Sequence, residues 1–266
     1  MSLWQSIALG ILQGISEFIP ISSSGHLVVA RVVMGMELDQ IPLLYDVILH
    51  IATLIVVIVF FRSRVGRMLR ALLHWVLRRV TQEDETDLKL AWYVLAGTVI
   101  TVVIGLSIRQ LDLHLYPRIV AGAFLVTAVL LILTHFAKGT LDYDQFRMRH
   151  AVIVGAVQGI AVIPGISRSG STIWAALATG VSREKAGEFS FLLSIPAIMG
   201  ALILELRHFQ ELQTAIAMDI LIAGFIASLV FGFLSLALLV MLIRGGKLWV
   251  FSIYLIPLGV WGLFFM

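Results

Sequence analysis

Two short stretches hold most of the residues in this chain that could do chemistry. The first runs Gly10-Ile11-Leu12-Gln13-Gly14, then through Glu17 and Pro20 to Ser22-Ser23-Ser24-Gly25-His26. The second runs Gly155-Ala156-Val157-Gln158-Gly159, then through Pro164 to Ser167-Arg168-Ser169-Gly170. Gln13 matches Gln158, Ser22 matches Ser167, Ser24 matches Ser169 and Gly25 matches Gly170, all at one offset of 145 (158 − 13). The copies differ where reactive groups would stand. Glu17, Ser23 and His26 of the first become Val162, Arg168 and Ser171 in the second.

Gln13 and Glu17 are four apart and share a helix face. A carboxylate inside an apolar run is expensive at membrane depth and points to function. A capping role is the plain alternative, but the helix dipole opposes a carboxylate at a C-terminal end. Ser22, Ser23 and Ser24 supply three hydroxyls beside a flexible Gly25 and an imidazole. A helix restarting near Ser24 would offer backbone N–H groups to an anion. His26 could serve as general acid or base. Ser23 could be a nucleophile if Glu17 or His26 took its proton. The plain alternative is a serine-rich turn with a loop histidine.

Arg168 is the sharper signal, a lone cation in an apolar, glycine-rich stretch. A guanidinium there calls for an oxyanion, and phosphate matches its fork of donors. Ser167, Ser169 and Thr172 add hydroxyls, and the candidate phosphate-binding set is Gln13, Ser22, Ser24, Gly25, Ser167, Ser169, Gly170 and Thr172. A snorkelling arginine is the alternative, but its neighbours leave it no obvious path to an interface. Other phosphate chemistries fit less well. Gly165 to Thr172 approaches a P-loop, but Ser171 stands where that motif needs lysine. Lipid phosphatases with a histidine nucleophile place it six residues after the arginine of their Ser-Arg pair, where this chain has Trp174.

The chain that must position these residues is 266 long, 60% apolar and 13% charged, with a mean hydropathy of +1.01. A soluble domain is about half apolar and about a quarter charged, so the sequence reads as an all-α integral membrane protein. Without cysteine it has no disulfides and no thiolate metal sites. The net charge of +3 gives no sign of nucleic-acid binding. No basic residue precedes the first apolar run and no small-residue cleavage site follows it, so no signal peptide is expected.

Six segments are long and apolar enough to span: Leu43–Phe61, Leu88–Ile108, Arg118–Phe136, Gly187–Leu206, Ala215–Ile243 and Leu248–Met266. Leu3–Ile19 and His150–Ile163 are apolar, but each ends at a proline and a Ser/Gly cluster. They predict two re-entrant helical hairpins, tolerated at depth only where backbone lines a cavity or is buried. Lys and Arg cluster in Arg62–Lys89, Lys138–Arg149, Arg183 with Lys185, and Arg244 with Lys247, all on one side if the six segments span. That side is read as cytoplasmic, with both termini outside. The first hairpin then enters from outside and the second from inside, so their tips can meet. Matched broken helices are the mark of an inverted-topology repeat. Residues 1–266 are read as a single membrane domain with halves near 1–136 and 137–266.

Arg62–Arg79 reads as an amphipathic helix on the inner leaflet, bringing membrane lipids into contact with the chain. Gly224, Ser228 and Gly232 form a small-residue seam. It could serve a homodimer or an internal contact, and the internal contact is preferred. Asp46, His50, Glu188 and Asp219 are read mainly as helix-end residues. Asp46 and Glu188 hint that the repeat extends past the hairpins.

The stretches Gln13-Gly14-Ile15-Ser16-Glu17-Phe18, Pro20 to His26, Pro164 to Gly170 and Gly187 to Leu193 together resemble the undecaprenyl-diphosphate phosphatases, the bacitracin-resistance family. The likeness covers nearly the whole chain. It implies a hydrolase that removes one phosphate from a C55 isoprenyl diphosphate, recycling the lipid carrier for peptidoglycan synthesis. It implies a multi-pass protein of the bacterial plasma (inner) membrane, with interlocked inverted repeats, a site facing the periplasm and a divalent cation, Mg²⁺ or Ca²⁺. By motif it makes Glu17, Ser23, His26 and Arg168 the catalytic group. Glu17 and Gln13 are the metal-ligand candidates. Where the family's first motif has Glu or Gln, this chain has Gln13, which can ligate or orient but cannot act as a base. The rival reading is a carrier or flippase for polyprenyl phosphate, whose architecture would look the same.

Overall fold

The computed structural model describes residues 1–38 and 41–265. Among these, every named element is a helix, apart from an isolated bridge between Leu141 and Val181. The twelve α-helices are α1 (Leu3–Phe18), α2 (Ser23–Val33), α3 (Leu43–Phe60), α4 (Arg62–Val76), α5 (Glu85–Arg109), α6 (Pro117–Phe136), α7 (Met148–Ile160), α8 (Arg168–Ala178), α9 (Arg183–Glu205), α10 (Phe209–Ala215), α11 (Met218–Arg244) and α12 (Ser252–Phe265).

Among the described residues, six helical segments are long and apolar enough to cross a membrane: those of α3, α5, α6, α9 and α11, and Leu248–Phe265, which contains α12. The six expected spans are borne out, with shifted ends. Met266, the last residue of the sixth, lies outside the described residues. The fifth does not begin at Ala215. That residue closes the short α10, and Ile216 is extended (φ −138°), so α11 starts at Met218.

The broken helices are α1–α2 and α7–α8. At about 1.5 Å per residue, the 16 residues of α1 reach only about 24 Å, short of a hydrocarbon core of about 30 Å. Each break is built from the same local chemistry. The prolines interrupt the helix. A serine then caps the next one: Ser22 Oγ accepts from the Gly25 amide at 3.3 Å, and Ser167 Oγ accepts from the Gly170 amide at 3.1 Å. The same Ser-x-x-Gly cap restarts the helix in both copies, one or two residues before Ser24 and Ser169.

The packing of these breaks is reciprocal. Gly97, Thr101 and Gly105 on α5 recur as Gly224, Ser228 and Gly232 on α11, each 127 positions later (224 − 97). α1 lies against the α11 seam and α7 against the α5 seam. A Cβ at Gly10 would stand 2.2 Å from the Gly224 carbonyl oxygen, and one at Gly155 would stand 2.4 Å from that of Gly97. Only glycine permits this backbone approach. Thr101 Oγ1 donates to the Gly155 carbonyl at 2.9 Å, and Ser228 Oγ to that of Leu49 at 3.0 Å. The first helix of each copy is thus held by a long helix that follows the other copy's break. The Gly224 seam is filled from within the chain by α1.

Polar anchors fix the ends. Arg64 on α4 pairs with Asp87 at 2.6 Å and Glu188 at 2.5 Å, and Arg31 pairs with Asp46. Glu188 therefore has the structural role of a helix-end ion pair. At an offset of 144 (193 − 49), Leu49 matches Leu193, Asp46 matches Ser190 and His50 matches Ser194. α4 keeps Leu69, Leu73, Trp75 and Val76 exposed, as an interfacial helix requires.

Candidate active site

The two breaks meet tip to tip. Ser22 has a left-handed φ of 72°, a conformation that a non-glycine residue holds only when its surroundings fix it. Its carbonyl accepts from the His26 backbone amide at 3.1 Å and from His26 Nδ1 at 2.8 Å. Its hydroxyl accepts from the Gly165 amide of the other tip at 3.1 Å. Gly165, at φ 98°, is wedged against Val120 and Ala123 of α6, where a side chain would clash. Thr127 on α6 completes the join, donating to the Gly165 carbonyl at 2.8 Å and accepting from the Ser167 amide at 2.9 Å.

At this junction the Glu17 carboxylate gathers four side chains. One oxygen pairs with Arg168 Nη2. The other accepts from Ser23 Oγ at 2.7 Å and Gln13 Nε2 at 2.9 Å, and lies 3.3 Å from His50 Nε2. His50 Nδ1 donates to the Asp46 carbonyl at 2.7 Å, so Nε2 can donate to Glu17 only when the ring is protonated. Arg168 Nη1 is buried with no partner. It is a charged donor held ready, since an unmet buried donor is costly.

A cavity of about 520 Å³ opens on this cluster. Its polar end is formed by Glu17, Ser22, Ser23, Ser24, His50, Ser167, Arg168 and Ser169. The rest is a slot between α5 and α9, walled by Val102, Leu106, Ile198, Ala201 and Leu204, with Arg109 at its end. Arg109 is paired with Glu205 across the slot. The N-termini of α2 and α8 both adjoin the polar end, and their dipoles favour negative charge there. The arrangement suits an anionic head group joined to an apolar tail.

Of the residues singled out in the sequence, Glu17, Ser22, Ser23, Ser24, Ser167, Arg168 and Ser169 line this cavity. Gln13 stands behind Glu17. Thr172 is turned away, bonded to the Arg168 carbonyl and 2.6 Å from Ser190 Oγ. Gly25 and Gly170 serve close packing: a Cβ would meet Phe124 at 2.7 Å in one case and Leu131 at 3.1 Å in the other. His26 does not reach Glu17. Its Nε2 lies 3.0 Å from Tyr254 Oη on α12, and its ring packs on Phe124. His50, expected mainly as a helix-end residue, lines the cavity and stands against Glu17. Its counterpart at the same spacing as Leu49 and Leu193 is Ser194, which also lines the cavity.

The donor set bears on a divalent cation. No group of three or more His, Cys, Asp or Glu side chains is gathered among the described residues. Gln13 presents Nε2 to Glu17 at 2.9 Å, and its Oε1, a buried acceptor without a partner, would join Glu17 on one ion only with the amide turned over. One carboxylate and one amide oxygen suit a hard cation that takes its other ligands from phosphate and water.

Short serine-capped helices meet at a buried carboxylate–guanidinium pair enclosed by membrane-length helices, the build of a multi-pass integral membrane protein. The chain belongs to the bacitracin resistance protein BacA family, whose model matches residues 6–261. It is 43% identical over 260 residues to the undecaprenyl-diphosphatase of Treponema denticola, covering 98% of this chain and 96% of the relative. It is 38% identical over 268 residues to that of Korarchaeum cryptofilum, covering 98% of each chain. With that of Methanosphaera stadtmanae it shares 35% identity over 274 residues, covering 98% of this chain and 96% of the relative.

Proposed function

We propose that this protein hydrolyses undecaprenyl diphosphate to undecaprenyl phosphate and inorganic phosphate, as the names of its relatives suggest. One observation carries the reading: the Ser23 hydroxyl, the Glu17 carboxylate and the Arg168 guanidinium converge at the polar end of an otherwise apolar slot.

The diphosphate occupies the polar end and the prenyl chain leaves along the slot between α5 and α9. Arg168, which lines the polar end, and the α2 and α8 N-termini take the terminal phosphate. Ser23 Oγ attacks its phosphorus while Glu17 accepts the hydroxyl proton. The bond from phosphorus to the bridging oxygen breaks, and undecaprenyl phosphate leaves with the electron pair. Water then hydrolyses the phosphoserine and restores Ser23. Attack by water directly, with Ser23 orienting the phosphate, keeps the same geometry and is separated by the trapping experiment described in the Discussion. Glu17 and Gln13 Oε1 would hold a Mg²⁺ or Ca²⁺ ion, which would neutralise charge on the diphosphate.

The cavity is lined by the later halves of α5 and α9, far from the basic groups of Arg62–Lys89 and Lys138–Arg149. That supports a site facing the exterior of a plasma membrane, where recycling of the carrier for cell-wall synthesis would need it. The reciprocal packing of α1 on α11 and α7 on α5 favours a second reading, in which the protein also moves polyprenyl phosphate between leaflets. Phosphate release from the C55 diphosphate by purified protein in detergent tests the first reading.

A further inference from the structure

The residue under most backbone constraint in the site is Ser22, next to the proposed nucleophile. A φ of 72° is unfavourable for a non-glycine residue, and it persists because bonds around it hold it. Three of them come from within the tips: the Gly25 and Gly165 amides to its hydroxyl, and the His26 amide to its carbonyl. The fourth is His26 Nδ1 to the same carbonyl at 2.8 Å. A carbonyl only accepts, so Nδ1 carries a proton there.

The other ring nitrogen is met from outside the hairpin. Tyr254 Oη on α12 lies 3.0 Å from His26 Nε2, and the two rings stack with centroids 5.6 Å apart and planes 24° from parallel. Phe124 closes the ring's other side, edge-on at 5.0 Å. With Nδ1 protonated, a neutral ring needs a donor at Nε2, and the phenol is that donor. We propose that Tyr254 is a positioning residue of the reaction. Its hydroxyl donates to His26 Nε2 and fixes the orientation of the ring, His26 holds the Ser22 carbonyl, and the strained Ser22 turn sets Ser23 Oγ against Glu17. Nothing in the sequence motifs points to Tyr254, which lies 228 residues from His26 on the last helix.

This inference rests on the hydrolase reading, and its test separates the two. The variants are Tyr254→Phe, which keeps the stacked ring and removes the hydroxyl, His26→Ala, and the double variant. Phosphate release is measured in detergent on C55 diphosphate, and the histidine side chains are observed by ¹⁵N NMR, His26 being the signal lost in His26→Ala. Tyr254→Phe is expected to lower kcat about tenfold, the scale of one well-placed hydrogen bond, with KM within about twofold. The double variant should turn over no more slowly than His26→Ala, because the tyrosine acts through the histidine. The His26 signals should show the Nδ1–H tautomer, held by the Ser22 carbonyl, in both proteins, and the unprotonated Nε2 signal should shift in Tyr254→Phe as its hydrogen bond is lost. Unchanged kcat in Tyr254→Phe, a further loss on adding Tyr254→Phe to His26→Ala, or an unshifted His26 Nε2 signal in Tyr254→Phe would overturn the proposal. A wild type that releases no phosphate, yet shows the expected Nε2 shift on Tyr254→Phe, would overturn the hydrolase reading and leave the Tyr254–His26 clamp standing.

Discussion

Ser23 Oγ donates to Glu17 Oε2 across a 2.7 Å gap, although a proline break separates the helices that carry them. The carboxylate ends α1 and the hydroxyl opens α2, so the break itself creates the pair. A serine and an acceptor for its proton at hydrogen-bond distance are what nucleophilic attack needs.

The pair can be dissected at the nucleophile. Ser23→Ala is expected to bind C55 diphosphate and to lose turnover, and brief exposure of the wild type to substrate followed by acid quenching should trap a phosphoserine at Ser23. Substantial turnover in Ser23→Ala would instead assign the attack to water.

Besides its proposed part in holding a cation, Glu17 accepts the serine proton and balances Arg168. Glu17→Gln keeps the shape and removes the charge. Turnover should fall by at least about 100-fold, within the range for loss of a general base. The variant should also be less stable in detergent, because breaking a buried ion pair leaves an uncompensated charge and costs about 3–5 kcal/mol. A melting temperature and turnover equal to the wild type would remove Glu17 from the centre of the site.

If Glu17 and Gln13 hold a cation as proposed, activity depends on divalent cations. Stripping the protein with a chelator should abolish phosphate release, and adding back Mg²⁺ or Ca²⁺ should restore it. Gln13→Ala should raise the cation concentration needed for half-maximal rate. Full activity in excess chelator would show that the guanidinium and helix N-termini suffice.

The reciprocal seams make a prediction about folding that needs no assay of function. Gly10→Val and Gly155→Val each drive a side chain into a backbone carbonyl on the partner helix. Overpacking of this kind costs typically about 1–3 kcal/mol, and here no flexible neighbour can yield. Both variants should lose their monodisperse peak in detergent or melt well below wild type, whereas Gly66→Val, with open space around it, should not. Equal melting of Gly155→Val and wild type would contradict the tight α5–α7 contact.

The spans and breaks were legible because hydropathy and proline act locally. Leu43–Phe60 and Pro117–Phe136 differ from the expected spans by a residue at one end. Glu17, Ser23 and Arg168 were legible because charge and hydroxyls are conspicuous in an apolar background. His50 and Tyr254 were not, because each sits in an ordinary helical pattern and gains its meaning only from a neighbour far away in sequence. The Gly97-Thr101-Gly105 seam was missed for a related reason. Its match to Gly224-Ser228-Gly232 lies at an offset of 127, not the 145 that joins the breaks, since the loops between differ in length. The sequence likewise gave no sign that Gly25, Gly170 and Thr172 pack and tie the tips rather than line the cavity.

The central claim is that two unequal tips form one hydrolytic site, the first supplying Glu17 and Ser23 and the second the phosphate-holding Arg168. Its most direct test is release of inorganic phosphate from C55 diphosphate by purified protein in detergent, with Mg²⁺ or Ca²⁺ and no membrane gradient, comparing wild type with Arg168→Ala. Steady release by the wild type, falling at least about 100-fold in Arg168→Ala as when a charge-stabilising donor is removed, is the expected result. No release by the wild type with any divalent cation, or equal rates for the two proteins, would contradict it.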